Sequence, residues 1–172
     1  MSIIVIGMGN PLLSDDSAGL ITVEHLEREC AHRFPAIRFE RCYAGGLDLL
    51  TELAGFHSAV IVDSIQTHNA PPGFCHRLSL DDIRHCAHAR LVGSHGLNIA
   101  TVLEIGARYG YTMPGRVEIF AIEGIEFEAF SERPTPQVER SIPDVVDTVT
   151  ALLSTWALPA EQARGISVGG YR

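Results

Sequence analysis

The chain has 172 residues, of which 46% are hydrophobic and 20% charged, and its formal net charge is −8. This is enough apolar material to bury one core without staples. The acidic balance excludes non-specific grip on nucleic acid or on an anionic membrane, both of which need clustered basic side chains.

The first apolar run, Ile3-Ile4-Val5-Ile6, leads into Gly7-Met8-Gly9-Asn10-Pro11 and then Leu12-Leu13-Ser14-Asp15-Asp16. This reads as a buried parallel strand, a loop and a helix start. An acidic residue at a helix start caps free N–H groups. Capping accounts for Asp15; it needs only one such residue, so Asp16 faces something else. Leu12 and Leu13 are unusually apolar for a simple turn, which suggests something is bound there. Ala18 to Cys30 has the spacing of a first crossover helix. Ile37 to Arg41 alternates like a strand with one solvated face, and Ala44-Gly45-Gly46 turns into a helix carrying Leu47, Leu49, Leu50 and Leu53.

Ala59-Val60-Ile61-Val62 is a third strand ending in Asp63-Ser64, at the same sheet edge as the first loop. Phe74 to Leu80 alternates like an exposed antiparallel edge strand. Asp81 opens a short helix, and Ser94-His95 leads into another running through Ile99 to about Tyr109. A neutral imidazole at that helix start can lend a lone pair, so His95 is a ligand candidate. His85-Cys86-Ala87-His88 is too small a ligand set to define a second metal site. Val117 to Ile122 is the last strand, followed by Glu123-Gly124-Ile125-Glu126. The final helix runs from Gln137 to Leu158, and Pro143 should kink it or split off its first turn.

The predicted architecture is a single three-layer α/β domain over residues 1–164 with a loose tail, 165–172. Its twisted sheet has five strands, mostly parallel, with helices on both faces and one antiparallel edge strand. In open sheets of this kind, ligands bind beyond the carboxyl ends of the strands. Asp16, Asp63 and His95 gather there. Two carboxylates and an imidazole suit zinc, nickel, cobalt or manganese, and the same trio could do acid and base work without metal. There is no H-E-x-x-H, G-x-S-x-G or P-loop. The Gly7-Met8-Gly9 phrase also fails the dinucleotide fingerprint, because Leu12 stands where the third glycine belongs. Cys30, Cys42, Cys75 and Cys86 contain no C-x-x-C pair and read as reduced thiols of a cytoplasmic protein. No run reaches transmembrane length, and no export signal is expected.

Several stretches together resemble the hydrogenase maturation endopeptidases. They are Gly7-x-Gly9-Asn10-Pro11-Leu12-Leu13-x-Asp15-Asp16, Ala44-Gly45-Gly46, Val60-Ile61-Val62-Asp63, Ser94-His95-x-x-x-Asn98, Glu123-Gly124-Ile125 and Thr135-Pro136-x-Val138. The resemblance implies an endopeptidase that removes the C-terminal extension of a nickel-iron hydrogenase large-subunit precursor after nickel insertion. By the same resemblance, Asp16, Asp63 and His95 would be both the catalytic and the nickel-contacting residues. The nickel would be supplied by the precursor, although other divalent metals suit the same donors. The expected partner is that precursor, with no nucleic acid and no membrane, and the protein itself is expected to be a monomer. Ser17 replaces a glycine usual in the family, and Glu126 stands where proline is common. Two alternatives share part of the pattern: a non-enzymatic nickel-binding module, and a peptidyl-tRNA hydrolase, which resembles the chain only through Gly-x-Gly-Asn-Pro.

Overall fold

The computed structural model describes residues 2–43, 46–85 and 99–157. The expected loose tail, 165–172, lies outside the described residues. β1 (Ile3–Met8), β2 (Ile37–Cys42), β3 (Ser58–Ile65), β4 (Cys75–Ser79) and β5 (Arg116–Glu123) form one sheet in the order β2-β1-β3-β5-β4. All pairings are parallel except β4 with β5, so the expected mostly parallel sheet with an antiparallel edge strand is what forms. Side-chain alternation then assigns the layers. Val60, Val62, Phe120 and Ile122 pack with α1 (Ala18–Cys30) and α5 (Pro136–Ala157). Ile61, Ile65, Ile119 and Ala121 pack on the other face with α2 (Leu47–Leu53) and α4 (Ile99–Arg108). The short α3 (Leu80–His85) continues directly from β4.

β1 is buried along its whole length because it has a strand on either side and a helical layer on each face. From β1 the chain first goes to β2 on one flank and later to β3 on the other. Such a reversal of direction opens a crevice beyond the carboxyl ends of the two central strands. Two glycines let α1 close on that edge. A Cβ on Gly19 would collide with the carbonyl oxygens of Met8 and Val62, and Gly9, at φ 147°, has no room for one against the Asp16 carbonyl.

Three local expectations are corrected. Asp15 and Asp16 lie in a separate 3-10 turn, Ser14–Ser17, which precedes α1 instead of forming its first turn. The Asp16 N–H bonds the Leu13 carbonyl three residues back at 2.8 Å, the 3-10 spacing, while the free Asp15 N–H goes to the Glu126 carbonyl at 3.0 Å. Asp63 and Glu123 belong to their strands: Asp63 pairs with Ala121 and Ile65 with Glu123, because the ladder is made by backbone and outlasts the apolar side chains. Finally, α5 runs unbroken through Pro143, so no first turn is split off. Buried Val138 and Ile142 before it and Val145 and Val146 after it hold both halves to the sheet, which offsets the one donor lost.

Candidate active site

The two adjacent carboxylates do different work. Asp15 is fully buried, and no side-chain cap bond serves its own helix. Its Oδ2 accepts the N–H groups of Ile125 at 2.9 Å and Glu126 at 3.0 Å and the Thr135 hydroxyl at 3.1 Å, while Oδ1 accepts the Thr135 N–H. Asp15 therefore clasps the loop between β5 and α5. Leu13 is tied to the same loop by a bridge with Phe130. Glu126, in the position where the resemblance expects proline, accepts the N–H groups of Glu128 and Ala129, each at 2.9 Å. Those two bonds hold its carboxyl below the usual range and close by side chain a turn that proline would pre-set.

Asp16 is 1% exposed. It accepts the Asn10 N–H at 3.1 Å and the Ser64 hydroxyl at 3.4 Å. Asp63 accepts the Ser64 N–H at 2.8 Å. Asp16, 47 positions before Asp63, thus reaches the hydroxyl of the serine that directly follows Asp63 on β3. They arrive from opposite layers, since Asp16 precedes α1 whereas Asp63, by alternation with Ile61 and Ile65, lies on the α2 and α4 face. His95 and His88 lie outside the described residues, as does Cys86. Among the described residues no group of three or more His, Cys, Asp or Glu side chains is arranged to hold a metal ion.

The exposed Leu12 joins Pro11, Leu20 and Ile21 in lining a groove of about 650 Å³ that runs beside Ser17 to Arg41 and Tyr43. This is where the apolar loop meets solvent. Burial pushes the Cys75 thiol up to about 11, so it is not a thiolate at neutral pH. Cys30 is buried against the Thr150 hydroxyl at 3.2 Å.

A further cluster was not anticipated. Glu123, 1% exposed at the end of β5, accepts the Thr67 N–H at 2.7 Å, the Thr67 hydroxyl at 2.8 Å and the His68 N–H at 2.9 Å, and it pairs with His76 Nε2 at 3.1 Å. Burial alone would raise its pKa, but the bonds from Thr67, His76 and His68 outweigh that and hold the carboxyl below its usual value. Glu123 also fixes the loop leaving β3, including His68 at φ 60°. The only signal in the sequence was an acidic residue directly after an apolar strand, the same signal that marked Asp63.

Comparison with known proteins identifies the family and the fold. The hydrogenase maturation protease family (HycI) profile matches residues 42–152. The hydrogenase 2 maturation protease of Escherichia coli (strain K12) is 27% identical over 156 residues, covering 89% of this chain and 91% of that protein. The hydrogenase expression/formation protein HupD of Thiocapsa roseopersicina is 23% identical over 168 residues, covering 96% of this chain and 74% of its own length. The solved structure of the hydrogenase maturating endopeptidase HybD from E. coli superposes with a TM-score of 0.73 at 26% identity, covering 91% of this chain and 94% of that one. The chain belongs to the hydrogenase maturation protease family. It is a peptide-bond hydrolase. No described helix is long and apolar enough to cross a membrane.

Proposed function

We propose that the protein removes the C-terminal extension from the large-subunit precursor of a nickel-iron hydrogenase after nickel has been inserted, and that it acts in the cytoplasm as a monomer. The precursor's nickel is part of the substrate. Asp16, Asp63 and His95 contact it, and the metal so held polarises the scissile carbonyl. The observation that carries this reading is the bond from Ser64, the residue after Asp63, to Asp16, which ties the exits of β1 and β3 together at the crevice between them. Carboxylates drawn from two layers to one edge, beside an open groove, suit a metal that arrives with a polypeptide chain. The names of the relatives point to the same class of substrate.

The test is incubation of the purified protein with candidate large-subunit precursors, with and without nickel, and weighing of the products by mass spectrometry. Loss of the C-terminal segment only in the nickel-loaded arm is the expected result. An intact loaded precursor would overturn the reading.

A further inference from the structure

A peptide-bond hydrolase has to hold the chain beside the bond it cuts, because a reacting group is useful only once its partner's orientation is fixed. We propose that the groove along α1 is the track for that chain. It takes about five extended residues of the precursor flanking the scissile bond, with apolar side chains against Leu12, Leu20 and Ile21 and a Lys or Arg against Glu24 and Glu132. The inference rests on the processing reading above and adds the recognition chemistry to it.

The groove starts at the candidate site, since Ser17 lines it and directly follows Asp16. From there Ile21, Glu24 and Arg28 succeed one another at the i+4, i+7 and i+11 spacing of one helix face, so this wall follows α1 for about three turns. Eleven residues of helix rise roughly 16 Å, the span of about five residues of extended chain. The rest of the lining comes from Pro11 and Leu12 of the β1 exit, Glu132 of the loop before α5, and Arg41 and Tyr43 at the end of β2.

The apolar part of this surface is built to stay open. Leu12 is 51% exposed although its backbone is pinned at both polar groups: its N–H goes to Asn10 Oδ1 at 3.0 Å and its carbonyl accepts the Ser131 N–H at 3.0 Å. Slack in the loop therefore does not account for the exposure. Among the described residues six of the eight large apolar side chains left exposed, Leu12, Tyr43, Leu47, Phe74, Ile125 and Phe130, sit in loops or at a helix start on the carboxyl edge of the sheet. Such a concentration around one edge marks a surface that meets another protein.

The charges choose the side chain. Arg41 Nη1 bonds Glu27 Oε2 at 2.9 Å, so that pair is satisfied within the groove wall. Among the described residues Glu24, Glu132 and Arg28 form no ion pair, and two carboxylates against one guanidinium leave the groove acidic. Both acids lie on the site's side of Arg28: Glu24 is one turn nearer Ser17, and Glu132 follows Ser131, which bonds Leu12. A basic side chain passing this point is attracted and an acidic one repelled, and the net charge of −8 acts in the same direction.

The test uses the full chain and measures binding of nickel-loaded precursor apart from its cleavage, so that the track and the processing reading fail separately. Glu24→Lys, at an exposed position of α1, should leave the urea midpoint near wild type and raise both Kd and KM for the precursor at least roughly tenfold. Leu12→Asp should raise them by about 10- to 100-fold through lost apolar contact. Glu29→Lys makes the same charge change on α1 outside the groove and should leave Kd within about twofold of wild type. Changing one particular Lys or Arg within about five residues of the cut to Glu in the precursor should recover the binding lost in Glu24→Lys, which a merely structural role for Glu24 would not produce. A wild-type Kd in both Glu24→Lys and Leu12→Asp overturns the proposal. So does an equal loss in Glu29→Lys, or no recovery from any such precursor variant. A precursor bound with the expected dependences yet never cut would support the track and overturn the processing reading.

Discussion

The exits of β1 and β5 each hold a buried carboxylate saturated with hydrogen bonds, yet the two differ in kind. Every donor to Asp15 is a backbone N–H or a hydroxyl, and all come from Ile125, Glu126 and Thr135. Glu123 has the same sort of shell with one substitution, an imidazole in place of a fixed donor. A carboxylate surrounded by groups that never titrate can only fasten. One with an imidazole among its partners also fixes that ring in place, as Glu123 does His76. Asp16 sits beside the first and accepts from Asn10 and Ser64 at the crevice itself.

The sharpest way to break this contrast is to separate Asp15 from Asp16. Asp16→Asn should keep its stability within about 1 kcal/mol, because the carboxamide oxygen still accepts from Asn10 and the Ser64 hydroxyl can rotate to accept the new amide hydrogen. Processing should nevertheless fall by at least roughly 10²-fold. A cleavage assay alongside a urea melt checks both, and normal processing would remove Asp16 from the site. His95→Ala should behave likewise. Asp15→Ala should do the opposite, destabilising the fold by about 3 kcal/mol or more, since the N–H groups of Ile125, Glu126 and Thr135 are left unpaired. A urea midpoint equal to wild type would show that the clasp is dispensable.

Gly19→Ala should cost about 1–3 kcal/mol, because its methyl meets the Met8 and Val62 carbonyls and pushes α1 off the sheet edge. The smallest effect concerns acid stability. Glu123 has a folded pKa below its ordinary value of 4.5, so the stability it contributes is present above that value and is lost as pH falls through the folded pKa. In Glu123→Gln the fall in stability below about pH 4.5 should be shallower than in wild type, as read from urea midpoints at successive pH values. Parallel curves would show that Glu123 does not gain from its shell.

The sheet and its order of elements were legible because the apolar runs Ile3–Ile6, Ala59–Val62 and Val117–Ile122 have the length and β-branching of buried parallel strands. The antiparallel edge showed in the alternation from Phe74 to Leu80. That Asp16 and Asp63 lie at one sheet edge was legible because each follows or ends an apolar parallel strand, and β1 and β3 are adjacent in the sheet although β2 lies between them in the chain. The use of Asp15 was not, since its partners lie 110 to 120 positions away and nothing local distinguishes a clasp from a cap. The pairing of Glu123 with His76 was hidden for a related reason. His76 reads as one surface histidine among several on an edge strand, and only the antiparallel register of β4 against β5 brings it onto a buried acid.

Asp15 holds both feet of the loop from Ile125 to Thr135, while Leu13 meets Phe130 partway along it. The loop is therefore a small closed ring whose two feet share one anchor. Changing the circumference of such a ring adds only a logarithmic entropy cost, whereas moving either foot dismantles the anchor. The exposed side chain of Phe130 is thus free to change in character at little expense, while the fixed carboxylate keeps the exits of β1 and β5 in register beneath it.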